Sequence, residues 1–483
     1  MGGDQSKIPQ TAEKTHQGKQ WVLLAAGSKD WTNYRHQANV CHAYQMVHHN
    51  GIPDEQIVVM MYDDIAYNAE NPYKGEIINV PGGPNVYPGV LKDYTELDVS
   101  ASNFLAVLRG DEAGVNKQRG GPKKVLNSDE NDTIFVYLSD HGGSGVFIFP
   151  KDTLHACDLL DTITEMSMHH KFSKMVIYIE SCHSGSMMEG LPRDTPVYGV
   201  SACKPDESHY AYRYDIQRNT YLTGEFSYHW LRHCNTSDLT STTFQEQYDI
   251  LRQQMNRSTP CQYGNSELST LFLSYFLVRP DPRALYGPAN LNAGRADSIT
   301  QYGPADLNSC RADSITQYGP ADLNACRADS RAPYRPAELN AQRSKTKVTQ
   351  VTPSNNVILV IYQEKIRREK DPKIKKALQR DYIKLLETRA MIEKAVRKIA
   401  EHSCPVRGRR ALKDRRPLTR LHDMKNVAEH FRSNFSEWHD EQDVGFILSH
   451  MQVFVNLFES GVKVARIKEA ITHVRSLPKF QSL

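Results

Sequence analysis

The chain has 483 residues, more than one ordinary domain holds, so two or three units are expected. Hydrophobic residues make up 39% and charged residues 24%, with a net charge of +3, which suits globular material joined by some polar linker. The longest apolar stretch, Leu268 to Val278, is interrupted by Ser and Thr and is too short to span a bilayer, which excludes a transmembrane helix.

The first 18 residues are polar and read as a disordered tail with no secretory signal visible; Gly2 and Ser6 match a myristoylation pattern too short to carry weight. Next, Trp21–Ala26, Ile57–Tyr62, Thr133–Leu138 and Lys174–Glu180 are near-continuous apolar runs. Such runs mark strands buried on both faces, as in a parallel sheet covered by helices. Helix-like segments around Asn39–His49 and Cys157–His169 alternate with them. The expectation is an open α/β sandwich over 19–275, with functional groups gathered beyond the carboxyl ends of the strands.

From Tyr286 the composition changes to four tandem units of 16 residues, with tyrosines at 286, 302, 318 and 334. Units so short and polar cannot bury a face, so 276–354 reads as a disordered repeat linker. Beyond it, Leu378, Tyr382, Leu385, Leu386, Ile392, Ala395, Val396 and Ile399 follow helical spacing. Further apolar sets at 444–457 and 462–474 make 355–483 an all-α region. Residues 361–420 hold 20 Lys/Arg against 8 Asp/Glu, a charge of +12, so the rest of the chain sums to −9. No nucleic-acid-binding signature accompanies the basic helices. An acidic surface on the same chain is the more economical partner, and nucleic acid is not expected.

Nine cysteines occur without a CxxC or Cys/His ladder, so neither a structural zinc site nor a cofactor is expected. Four N-x-S/T sequons, at Asn131, Asn235, Asn256 and Asn434, weakly favour the secretory pathway. The chemistry sits at two strand ends. Thr133–Leu138 runs into Ser139-Asp-His-Gly-Gly-Ser-Gly145, and Lys174–Glu180 into Ser181-Cys-His-Ser-Gly-Ser186. A His and a Cys at the same sheet edge suit nucleophilic catalysis, because an imidazole favours the thiolate and later protonates the leaving amine. Gly142 and Gly185 let a substrate backbone come close and free amides for an oxyanion. Either residue alone is better explained as a buried thiol or a turn histidine; both, after strands of one type, reverse that preference.

These segments, with Gly27–Ala38, Cys41–Gln45, Tyr62–Ala66 and Asn103–Asp111, resemble the legumain (asparaginyl endopeptidase) family of cysteine proteases over about 19–275 and 350–483. The resemblance implies a caspase-like α/β peptidase domain followed by a helical inhibitory prodomain. It implies Cys182 as nucleophile, His141 as base, Asn33 as their third partner, and Gly142 with Cys182 as oxyanion amides. Arg35, His36, Glu180, Ser208 and Glu225 would form the pocket for an Asn side chain. A carboxamide has a donor end and an acceptor end, which Glu and Arg satisfy together; a plain structural Arg35–Glu180 ion pair is the competing explanation. The implied activity is cleavage after Asn, and after Asp in acid, by a zymogen activated at low pH. The implied partners are protein and peptide substrates, the chain's own prodomain and cystatin-type inhibitors; the implied place is a lysosome or vacuole, or secretion.

Several residues depart from the family pattern. Ser181 and His183 flank the thiol, and the acid expected at position 224 stands one place later as Glu225. Cys404 lacks its pairing partners, with Phe435 and Phe458 at matching positions, and the usual self-cleavage Asn is replaced near Lys370. Each repeat offers an alternative activation Asn, at 292, 308, 324 and 340. A transamidase-type relative and an inactive homologue serving as a scaffold are the competing functions.

Overall fold

The computed structural model describes residues 18–118, 120–279, 350–435 and 444–481. The described residues other than Arg279 belong to one compact unit. The tandem repeat and its four asparagines lie outside the described residues.

The first half alternates strand and helix, as the apolar runs require. In chain order come β1 (Gln20–Ala26), α1 (Tyr34–His49), β2 (Ile57–Met60), α2 (Ala101–Arg109), β3 (Thr133–Ser139), β4 (Gly142–Gly143), β5 (Val146–Ile148), β6 (Thr153–His155), α3 (Ala156–Met168), β7 (Lys174–Glu180) and β8 (Val197–Ser201). Then follow β9 (Tyr210–Asp215), β10 (Thr220–Gly224), α4 (Glu225–Thr236), α5 (Phe244–Gln254), β11 (Cys261–Gly264) and α6 (Ser274–Leu277). The main sheet runs β11-β8-β7-β3-β1-β2, parallel except for the β11 edge. Alternate residues of β1 face opposite cores: Val22 and Leu24 pack with α1, α4 and α5, while Leu23 and Ala25 pack with α2 and α3. The expected sandwich of helices about an open sheet is what forms.

Beyond the repeat come β12 (Val351–Pro353), α7 (Val357–Arg368), α8 (Pro372–Ser403), α9 (Pro405–Ala411), α10 (Leu421–Asn434), α11 (Val444–Leu448), α12 (Met451–Glu459) and α13 (Val464–Ser476). Asp371 starts α8 by accepting from the Lys373 and Ile374 amides at 2.7 and 3.3 Å, with Pro372 in the first turn. β12 joins the small antiparallel sheet β10-β9-β12, so the chain rejoins the sheet unit as a strand before the helices begin.

The helices share a third core with Val146 and Ile148 of β5, and Val357 and Ile361 of α7 pack on Ala211, Tyr214 and Tyr221. Residues 361–420 reach the sheet unit through Lys365 on Glu70 at 2.5 Å and Arg368 on the Ile216 carbonyl. Another pair, Lys425 on Asp158 at 2.8 Å, comes from outside that basic run. Apolar burial therefore joins the two regions over a wide surface, and the charge difference adds a few contacts at its margin. Cys404 is free, and buried Phe435 and Phe458 fill space in the helical core.

Candidate active site

The register of the sheet assembles the site. β3 and β7 are parallel neighbours with Ser139 opposite Glu180, so His141 and Cys182, each two residues beyond that pair, leave the sheet side by side. Their backbones touch: a Cβ on Gly142 would lie 2.6 Å from Ser181 Oγ and 2.7 Å from the Cys182 carbonyl oxygen. Only glycine permits that approach, and it sets the Gly142 and Cys182 main chains against each other.

His141 is buried, and its Nε2 lies 2.8 Å from Asn33 Oδ1, so Asn33, just ahead of α1, fixes the ring. The His36 ring meets His141 edge-on at 5.3 Å, and its Nδ1 lies 3.1 Å from Ser139 Oγ. Burial, then the nearby Arg35 charge, hold both imidazoles well below their ordinary pKa, so both are neutral at neutral pH. Asp140 between the two strand ends is pushed up to about 7 by burial, against the Ser28 hydroxyl that donates to it. Burial also raises the Cys182 thiol, opposed by the His209 amide 3.3 Å from its sulfur, by Arg35 and by the Ser208 hydroxyl.

A cluster of buried polar groups gathers about Glu180, two residues before the thiol. Glu180 is buried, with Oε1 2.7 Å from His209 Nε2 and Oε2 3.0 Å from the Tyr137 hydroxyl. Ser227 also donates to Oε2, and Asn39 reaches it at 3.4 Å. Arg35 is 1% exposed. One nitrogen, Nη1, donates to the Thr32 carbonyl at 3.2 Å, while Nη2 is buried with no hydrogen-bond partner. Burial lowers the guanidinium to about 10, with Asp140, Cys182 and Glu180 opposing, so it stays charged.

The sequence-predicted residues divide. Cys182, His141, Asn33, Gly142, Arg35 and Glu180 come together. Ser208 sits on the thiol, and His36 backs His141. Glu225, the first residue of α4, accepts from the Asn256 amide at 3.3 Å through Oε1 and from that of Ser258, while Oε2 is buried with no hydrogen-bond partner and makes no bond to Glu180 or His209. Gly224 takes the place against the Glu180 carboxylate, where a Cβ would lie 1.4 Å from Oε1. His183, buried beside the thiol in sequence, bonds the Pro205 carbonyl at 2.9 Å. Residues not read from the sequence are Asp140, His209, Tyr137, Ser227, Asn39 and Gly224. Of these only Asp140 carried a signal, its place in Ser-Asp-His-Gly.

His36, Asp140 and His141 offer ligand atoms within 4.8 Å of one another, but the buried Arg35 charge that depresses both imidazoles opposes a cation there.

The peptidase C13 family model matches residues 20–279, more than half the chain and every strand of the main sheet. The chain belongs to the peptidase C13 family. It is 40% identical over 460 residues to legumain from Bos taurus, covering 95% of this chain and 93% of that one. Legumain from Homo sapiens is 39% identical over 459 residues, with the same coverage. The vacuolar-processing enzyme delta-isozyme of Arabidopsis thaliana is 39% identical over 284 residues, 56% of this chain and 60% of that one. The chain is thus a cysteine endopeptidase acting on protein substrates, and among the described residues no helix is long and apolar enough to cross a membrane.

Proposed function

We propose that this peptidase cuts after asparagine, with Cys182 as nucleophile and His141 as the base that Asn33 orients. The observation that carries the specificity is Arg35: a buried, charged guanidinium with one nitrogen unpartnered, beside a carboxylate held by four neighbouring groups. An Asn side chain supplies the missing acceptor through its carbonyl and offers its amide to Glu180. A Lys or Arg side chain would bring no acceptor and would face Arg35.

In the reaction the Cys182 thiolate adds to the scissile carbonyl carbon, and the Gly142 and Cys182 amides receive the oxyanion. His141 then protonates the departing amine, and water hydrolyses the thioester. Ser208 and the His209 amide favour the thiolate, His36 supports the His141 ring, and Glu225 holds the 256–258 turn beside the pocket. Ionised Asp would meet the Glu180 charge, so Asp is accepted only when acid protonates it.

Domain roles follow. Residues 19–275 are the peptidase domain and 355–483 an inhibitory prodomain, since Gly445 packs against His141; of the 276–354 linker, Val351–Pro353 is instead a strand of the small sheet. That cap, and cystatin-type proteins after its release, are the inhibitors of the site. A lysosome or vacuole is the location this reading favours, and the name of the vacuolar-processing relative supports it.

The test is hydrolysis of an Ala-Ala-Asn fluorogenic peptide after acid treatment. Cys182→Ala and His141→Ala should each abolish turnover while leaving the melting transition in place, because the two act as a unit. Near-normal turnover by Cys182→Ala, or a cleavage-site profile dominated by Lys and Arg, would refute the assignment.

A further inference from the structure

Resting on that reading of the site, the edge of β9 goes further. β12 lies antiparallel on β9, with Thr352 opposite Ala211 and Pro353 opposite Tyr210. The pairing continues at both ends: the Ser354 amide donates to the His209 carbonyl at 2.9 Å, and the Arg213 amide to the Gln350 carbonyl at 2.8 Å. The His209 amide itself lies 3.3 Å from the Cys182 sulfur. A chain on this edge therefore brings the residue opposite His209 to the nucleophile and sets the residue four places earlier, as Gln350 stands to Ser354, opposite Arg213. β12 is the edge of its sheet, and a substrate segment that takes its place pairs with the same β9 groups.

At the far end of that edge two arginines converge without an acid. Arg213 stands in left-handed backbone inside β9, with φ 62°. Its guanidinium lies 4.6 Å over the Tyr212 ring and 4.7 Å over the Tyr228 ring, so two aromatic faces fix its direction. Arg213 Nη2 donates to the Tyr228 hydroxyl at 2.9 Å, and Nη1 of exposed Arg232, on α4, reaches the same hydroxyl at 3.5 Å. Arg213 Nε is buried with no hydrogen-bond partner. Among the described residues neither guanidinium pairs with a carboxylate. Glu225, the one acid of α4, accepts from the Asn256 and Ser258 amides instead. Two cations that share one hydroxyl repel each other, and an anion supplied from outside relieves that repulsion.

We infer that Arg213 and Arg232 form a substrate subsite for an acidic side chain, so that this peptidase favours protein segments with Glu or Asp four residues before the cleaved Asn. Directly opposed residues of an antiparallel pair hold their Cβ atoms about 5 Å apart, which puts a carboxylate at that position within reach of the Arg213 guanidinium. The carboxylate takes the free Nε hydrogen of Arg213 and a donor of Arg232. The Tyr228 hydroxyl accepts from both arginines and so keeps its own hydrogen to donate to the same carboxylate. Because the two tyrosine rings already hold Arg213, little side-chain freedom is lost when the acid binds. A Lys at that position would instead face two cations.

The experiment measures kcat/KM of the acid-treated full chain for the fluorogenic peptide Ala-Glu-Ala-Ala-Ala-Asn and for its Gln and Lys counterparts. Assays run at about pH 6, where the substrate carboxylate is ionised. The Glu peptide should exceed the Gln peptide by about fivefold or more at low salt, and the Lys peptide should fall below both. The preference should shrink in about 1 M salt, and also when Glu is moved one place along the peptide, because alternate strand residues face opposite ways. Arg213→Gln and Arg232→Glu should each bring the Glu-to-Gln ratio down to about one, and Arg232→Glu should raise the Lys peptide above the Gln peptide. A merely structural role would lower all three peptides together and leave their ratios as in wild type, so unchanged ratios in folded variants overturn the inference. Should Arg213→Gln fail to fold, the exposed Arg232→Glu still decides. A wild type indifferent to Glu, or one that prefers it equally at every position, also overturns the inference while leaving cleavage after Asn intact. A chain that leaves the Ala-Ala-Asn peptide uncut refutes the functional reading itself.

Discussion

Glu180 is held in place from four elements and by a glycine, so its position is more fragile than its burial suggests. A methyl group at Gly224 would overlap Oε1, which His209 also grips, so Gly224→Ala must move the carboxylate. Displacements of about 1 Å at such a site cost roughly a hundredfold, and kcat/KM for an Asn peptide should fall by that order while the fold persists. A variant with unchanged kcat/KM would show that Glu180 takes no part in recognition. Asp140 gives a second expectation, with a sign. Its folded pKa, about 7, lies above that of an unfolded Asp, about 3.9. Between those values the folded state holds a proton the unfolded state has lost, so this group's contribution is present in acid and falls as pH rises toward 7. Asp140→Asn removes that slope. Denaturant melts should show the variant gaining on wild type from pH 4 to pH 7; a constant difference would contradict the buried carboxyl. The reach of the sequence at this scale follows from the same geometry. Cys182 and His141 each follow a buried strand in one contiguous segment, so motif and position were legible together. The partners of Glu180 come from α1, β3, α4 and the turn before β9, and no local pattern links residues that only the closed fold brings together.

Among the elements, strands buried on both faces were legible because every residue in them is apolar. β9 was not, since its Tyr210–Asp215 segment alternates half-buried polar and aromatic groups and gains its identity by pairing with β10 and β12. Helix α8 shows the opposite error of periodicity. Leu385, Ile392, Ala395, Val396 and Ile399 are buried as their spacing predicts, but Leu386 is 41% exposed and Tyr382 only partly covered. The face continues through the sequence, while the surface it packs on ends. Helix α11 lies nearest His141, because a Cβ at Gly445 would stand 3.0 Å from His141 Nδ1 and 3.4 Å from the Asn355 Cα. A branched residue there cannot be accommodated without moving the helix, at about 1–3 kcal/mol. Gly445→Val should therefore raise turnover of the Asn peptide by the full-length chain at neutral pH, by roughly fivefold or more. Unchanged turnover, with the same melting behaviour, would mean that α11 does not limit access to His141.

At the scale of the molecule, the question is what couples the helical cap to acidity. The charge difference between residues 361–420 and the remainder suggested general attraction, yet the two regions meet chiefly through apolar packing, which pH does not alter. A more local group answers better. His155, at the end of β6, is buried where α10 docks, and burial lowers its pKa to about 4. Asp158 pulls the other way, and Lys425 and Arg432 add to the lowering. Glu429 comes within 3.6 Å of Nε2, but it is 56% exposed, so water screens it and burial decides the direction. Once the cap lifts, the ring meets water and its pKa returns toward 6.5. Between about 6.5 and 4 the released form therefore binds a proton that the docked form refuses, and docking weakens as pH falls through that window. Above it, both forms are neutral and the contribution is whole. His155→Gln keeps a polar side chain that cannot titrate, so its cap should stay docked further into acid. Following Asn-peptide turnover of the full chain from pH 7 to pH 4 should show the onset of activity shifted to lower pH, by about half a unit or more. An onset at the wild-type pH would place the acid sensor elsewhere, with the carboxylates that Lys365 and Lys425 grip, Glu70 and Asp158, as the next groups to remove.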